Sequence, residues 1–196
     1  MKYIMLKRRL GHILGKIFII PLYLSPIFIC RILIDLFNHS STIIGYGVRW
    51  AAYKRLCLYI GNRVSFEPNS ILRFPENLSI GDNVVIHPGT LISCSSLVII
   101  GSDCAIAPNV SILTEEHHHG QYYNGKRAKG VSSDNVVIEA NVFLGVGVVV
   151  TKGVTIYRGG VIGANSVVIS DTKPYSMYAG NPCVFKKQYN VTGGVE

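Results

Sequence analysis

Two glutamates and three histidines stand in a row at Glu115, Glu116, His117, His118 and His119. An imidazole has an ordinary pKa near about 6.5, so it can take a proton from a weakly nucleophilic hydroxyl at neutral pH. The same residue types also ligate metals, and a run of this kind can equally be a solvated loop. Consecutive side chains such as His117 and His118 diverge, which weakens the metal reading. The place of this run in the chain's repeat discriminates among the three.

That repeat is a ladder of apolar residues at Ile60, Phe66 and Leu72, then Ile80, Ile86 and Ile92, then Ile100, Ile106 and Ile112, a six-residue step inside a twenty-residue period. It resumes at Ile138, Leu144, Val150, Ile156, Ile162 and Val168, and the His-rich run lies in the break. A six-residue apolar period fits neither an amphipathic helix nor alternating strands. It fits short strands joined by tight corners that wind as a solenoid, three hexads to a triangular coil. Gly61, Gly81, Gly101, Gly145 and Gly163 beside the ladder, and Asn62, Asp82, Asn83, Asp103 and Asn165 after it, suit corners with unusual backbone angles. The expectation is an all-β solenoid of about five coils over 60–173, with an excursion at 117–134 and a tail at 174–196.

The chain of 196 residues leaves no room for a second globular domain beside this solenoid. Its net charge of +8 is unevenly placed: residues 1–59 carry nine Lys or Arg against the single Asp35, and the remainder carries ten of each sign. Lys7, Arg8, Arg9 and Lys16 precede an uncharged stretch from Ile17 to Cys30, followed by Arg31 and another apolar run. As a helix that stretch would reach about 21 Å, short of the roughly 30 Å hydrocarbon core, and Pro21 and Pro26 interrupt it. No small-x-small cleavage site follows, which argues against a secretory signal. Residues 1–47 are therefore expected to be a kinked segment at an anionic membrane surface, on the cytoplasmic face, with packing on the solenoid or a neighbouring subunit as the alternative. Residues 48–59 are expected to form a helix capping the first coil. Nucleic acid binding is disfavoured, because no recognition motif accompanies the charge. The five cysteines are scattered and odd in number, as in a reduced cytosolic protein.

The hexads, the string IAPNVSILTEEH at 106–117, the stretch RLCLYIGNRVSFEPNSILRFPENLSIGDNVVIHPG at 55–89 and the ending PYSMYAGNPCVFKK at 174–187 together resemble the hexapeptide-repeat acyltransferases. The similarity is to the branch of galactoside, maltose and nodulation-factor acetyltransferases, and most of all to O-acetyltransferases of exopolysaccharide and capsule synthesis. It implies a left-handed parallel β-helix, a homotrimer with active sites between subunits, acetyl-CoA as donor and a saccharide acceptor. The family's catalytic histidine lies eight residues after the Asn of the APNV string, which is His117 here. The resemblance places acceptor binding at His87, where relatives carry Asn. Donor binding falls along the later coils at Gly145, Gly147, Gly163 and Ala164, whose backbone amides are candidates for the thioester oxyanion, and at Lys186 and Lys187 against the nucleotide phosphates. Tyr122 and Tyr123, with Gln121, Asn124, Lys126, Arg127 and Lys129, give the excursion side chains suited to a sugar or phosphate. Phe143, Val146, Ile169 and Ser170 depart from the residues usual in the family's donor groove.

His87 begins the second hexad of its coil and His117 ends the third hexad of the next, so the two are expected on different faces. They would meet one acceptor only across a subunit interface. γ-Class carbonic anhydrases share the solenoid and bind zinc through three histidines, but the His87 to His117 separation does not match theirs, and no metal is expected. The alternatives are an acetyltransferase for a soluble small acceptor, an N-acetyltransferase for an amino sugar, and a non-catalytic trimeric scaffold.

Overall fold

The structure, a computed structural model, describes residues 2–118, 122–123, 126–127 and 130–190, with the backbone alone at 2, 122, 123, 126 and 127. Short parallel strands stack into three sheets that form the faces of a prism. The chain is a left-handed parallel β-helix of about five turns, as its periodicity and resemblance led us to expect. Register keeps the ladder aligned from coil to coil. Ile60, Ile80, Ile100, Ile138 and Ile156 follow one another on the first face. Phe66, Ile86, Ile106, Leu144 and Ile162 do so on the second. Leu72, Ile92, Ile112, Val150 and Val168 complete the third. All but Leu72 are buried, and each contributes about 1.5–3 kcal/mol by leaving water.

The corner residues divide the work differently from the sequence expectation. Asn83, Asp103, Asn141 and Asn165 adopt left-handed backbone with φ between 55° and 61°, and Arg63 does the same in the first coil. The ladder glycines do not. They are needed because coils approach closely: a Cβ on Gly81 would lie 2.6 Å from Ser102 N, and one on Gly145 would lie 2.7 Å from Ala164 N.

Three helices precede the coils: α1 (Lys2–Leu24), α2 (Ile27–Phe37) and α3 (Ile43–Leu56). Helix α3 starts earlier than the expected 48–59 because Thr42 caps it, accepting Gly45 N–H at 3.1 Å. Helix α1 runs through Pro21 into its last turn, and the chain breaks instead at Ser25 and Pro26. Gly11 and Gly15 of α1 meet Gly47 and Trp50 of α3 so closely that side chains would not fit, which brings the two helices into contact. Arg49, fully buried, ties α3 to its surroundings by donating to Phe66 O, Phe37 O and Ser40 O. After the last coil, Ser176–Ala179 extends the second face and turns back as the antiparallel strand Val184–Gln188.

Candidate active site

The chain leaves the solenoid at the end of the third face, after Ser111–Leu113. It continues as Glu115–His117, which pairs antiparallel with Val131–Ser133, opposite Val131 at His117. His118 N–H closes the ladder onto Gly130 O at 3.0 Å. His117 is thus an exposed imidazole on a short ribbon standing off a corner. Strand alternation puts Glu115 and His117 on one side of that ribbon and Glu116 on the other.

Glu115 anchors the ribbon to the prism. Its Oε2 accepts from Ser95 Oγ at 2.5 Å and its Oε1 from Ser93 Oγ at 3.4 Å. Glu116 lies 3.7 Å from Lys152 Nζ. Both carboxylates therefore secure the strand that carries His117. Ser95 stands one twenty-residue period before Glu115, a signal present in the sequence that the motif reading passed over.

His87 lies on the second face, as the hexad arithmetic expects. Its rung neighbours are Glu67 on one side and Ala107 on the other, and Gly145 and Gly163 continue the column. Glu67 is 5% exposed, and its two oxygens accept from Arg8 Nε and Tyr46 Oη, each at 2.5 Å. Burial, then the bond to Glu67, pushes the Tyr46 hydroxyl up to about 12. Half-buried His87 is held below the ordinary histidine range by burial and then by the Arg8 cation, with Glu67 opposing. Arg8, Tyr46 and Glu67 are site neighbours that sequence reasoning missed; only Glu67, one period before His87, left a trace there.

Of the donor candidates, Gly145 and Gly163 continue that second face, and Gly147 and Ala164 lie in the turns that lead from it to the third. Their amides are largely spoken for: Gly145 N–H donates to Ile162 O, Gly147 N–H to Pro108 O and Gly163 N–H to Tyr178 O. An oxyanion held by any of these three would have to compete with a bond between coils, so their small size has a structural cause. Gly147 also needs its φ of +70°. Lys186 and Lys187 are exposed on the outer strand of the same sheet, and Lys187 Nζ lies 4.9 Å from the Tyr189 ring. Tyr122 and Tyr123 pair antiparallel with Arg127 and Lys126, but their side chains, with His119, Gln121, Asn124 and Lys129, lie outside the described residues. Among the described residues no three His, Cys, Asp or Glu side chains converge as a metal site.

No protein-family model matches the chain. Individual relatives do. Galactoside O-acetyltransferase of Escherichia coli (strain K12) is 33% identical over 156 residues, covering 79% of this chain and 74% of that protein. WbbJ of the same strain, named as a lipopolysaccharide-biosynthesis O-acetyl transferase, is 33% identical over 143 residues, 67% of each chain. A hexapeptide-repeat acetyltransferase of Vibrio cholerae O1 biovar eltor, solved in complex with acetyl coenzyme A, superposes with a TM-score of 0.72 at 26% identity, over 81% of this chain and 84% of that one. The chain belongs to the hexapeptide-repeat acetyltransferase family.

Proposed function

We propose that the protein transfers acetyl from acetyl-CoA to a hydroxyl of a saccharide, with His117 as general base. The observation that carries this reading is His117 itself, exposed on a ribbon that Glu115 fastens to Ser93 and Ser95. An imidazole so placed takes the proton of the acceptor hydroxyl as its oxygen attacks the thioester carbonyl carbon. The tetrahedral adduct then collapses, the C–S bond breaks, and the imidazolium returns the proton to the departing thiolate. The E. coli galactoside enzyme and WbbJ, both named for acetyl transfer to oxygen, support the choice of hydroxyl and of saccharide.

His87, Gly145 and Gly163 lie in one column of the second face while His117 leaves from the end of the third, so a complete site takes its base from a second copy of the chain. A homotrimer with sites between subunits satisfies this. His87 then contacts the acceptor, the pantetheine arm runs past Gly145 and Gly163 to Ala164, and Lys186 and Lys187 meet the nucleotide phosphates as point charges.

The protein is also proposed to rest on an anionic membrane surface through its first 47 residues. Tyr3, Leu6, Leu10, Ile13, Ile17, Ile20 and Leu24 recur every three or four residues along α1 and are all exposed, and Lys and Arg flank the stripe. No helix among the described residues is long and apolar enough to cross a membrane.

The deciding assay is thiol release from acetyl-CoA by the wild type and His117→Ala, with membranes carrying lipid-linked saccharides and with soluble sugars supplied separately. Turnover with a saccharide, lost by a factor of about 100 or more in the variant, is expected. Equal turnover in both would remove His117 from the chemistry. Failure of the wild type to bind coenzyme A would leave only the scaffold.

A further inference from the structure

A groove of about 930 Å³ runs between α1 and the first two corners of the solenoid. The volume lies in the range that takes small molecules. Arg9 and Lys16 on α1 and Arg63 on the first corner line it, are exposed, and have no ion pair among the described residues. The acid on its wall, Asp82, is committed to the corner, accepting Asn62 N–H at 2.6 Å. Two further polar atoms, His12 Nε2 and Ser65 Oγ, belong to lining residues and are buried with no hydrogen-bond partner among the described residues. Buried polar atoms without partners are uncommon and call for one. Three cations on one groove, without ion pairs among the described residues, suit a multiply charged anion. A neutral sugar would leave the cations unmatched.

The groove adjoins the acceptor position. Arg8, which lines it, bonds Glu67, and Glu67 is the rung neighbour of His87. A sugar held at His87 therefore lies beside the groove together with whatever group it is attached to. We infer that the groove seats the phosphate or pyrophosphate through which the acceptor saccharide is joined to its carrier. This rests on the placement of the acceptor at His87 proposed above. It narrows the substrate class from saccharides at large to glycosyl phosphates. The cations act as point charges on the phosphate oxygens. Burial, and then the positive charge of Lys16 and Lys54, hold His12 below the ordinary histidine range.

The test is calorimetric titration of the full chain with inorganic pyrophosphate, for the wild type and for the Arg9→Gln/Lys16→Gln/Arg63→Asn variant. Coenzyme A binding is measured on both to confirm assembly. Asn suits the left-handed backbone at 63, so the single Arg63→Asn variant keeps the test open should the triple variant not assemble. Pyrophosphate should bind the wild type and bind the triple variant at least tenfold more weakly. A uridine diphosphate sugar and a farnesyl pyrophosphate-linked sugar in detergent micelles then separate nucleotide from lipid carriers, the preferred one binding more tightly than pyrophosphate. No binding by the wild type, equal binding by the triple variant, or displacement of pyrophosphate by coenzyme A would overturn the inference. So would loss of binding to phosphatidylglycerol vesicles in the triple variant without any pyrophosphate binding, which would make the cations a membrane patch. His117→Ala should bind pyrophosphate as the wild type does. If it binds yet keeps its turnover, the general-base reading fails while the groove stands.

Discussion

Replacing Arg49 with methionine should detach the helical cap from the first coil without melting the solenoid. The guanidinium is fully buried, donates at 3.0 Å to Phe66 O, at 2.6 Å to Phe37 O and at 2.7 Å to Ser40 O, and lies 5.0 Å from the Tyr46 ring centroid. Three bonds from a charged donor are worth about 1.5–3 kcal/mol each. Against them stands the cost of burying an ion, several kcal/mol on the order seen for buried pairs, which methionine relieves. Burial lowers the Arg49 pKa, in keeping with that cost. Phe37 O keeps a bond from Ser40 N–H at 3.1 Å, so the loss concentrates on Phe66 O and Ser40 O. The net is about 3 kcal/mol, or about two powers of ten in the opening constant of α3. Amide hydrogen exchange reads this directly: protection from Gly47 to Tyr53 should fall about 100-fold, while amides from Ile138 to Val168 stay unchanged, because each coil contacts only its neighbours. Arg49→Lys, whose ammonium cannot reproduce the fork, should fall between. A change below about fivefold in α3, or an equal loss in the last coils, would refute this account of how the cap is held.

Ser95→Ala removes the 2.5 Å bond to Glu115 and should lower turnover about tenfold through misplacement of His117, with the Michaelis constant for acetyl-CoA unchanged; a change in that constant alone would deny Ser95 a positioning role. Gly145→Ala should destabilise by about 1–3 kcal/mol in a denaturant titration, since its Cβ would press on Ala164 N, and a neutral result would show that the coils can separate there. His12 and His87 are both held below the ordinary histidine range, chiefly by burial. On acidification the unfolded chain therefore takes up protons first, so stability is lost as pH falls from about 7 through 6.5 toward 5. Melting temperatures across that range should drop in the wild type and drop less in His12→Gln/His87→Gln, and parallel curves would exclude these two histidines.

Periodicity made the solenoid legible because each ladder residue has a single environment, the prism interior, whatever its coil. The twenty-residue offset also encodes cross-coil pairs. Ser95 and Glu115, Glu67 and His87, and Asn83 with Asp103 at 2.8 Å are all one period apart. Contacts between the repeat and the helices follow no such offset. Arg8 reaches Glu67 across 59 positions, and nothing in either local pattern announces it. Composition showed the charge of the first 59 residues but not its division on α1 into a face against α3, a basic face on the groove and an apolar outer stripe. That division depends on the glycine contact that fixes how α1 lies on α3.

A regular prism is convex, and the stacking that makes it stable leaves no cleft in its faces. Concavity arises where regularity ends, and among the described residues this chain ends it in three places. The helices leave the groove beside the first coils. The excursion after Leu113 lifts His117 clear of a corner. The terminal hairpin carries Lys186 and Lys187 past the last coil on the second face. The first and third of these act on one face and the second leaves from another. In the proposed homotrimer the base would serve the acceptor column of a neighbouring copy, the corner of one prism meeting the face of the next. The proposed site accordingly draws its residues from the interruptions, and the flat faces of the repeat are the surfaces on which the proposed trimer would pack.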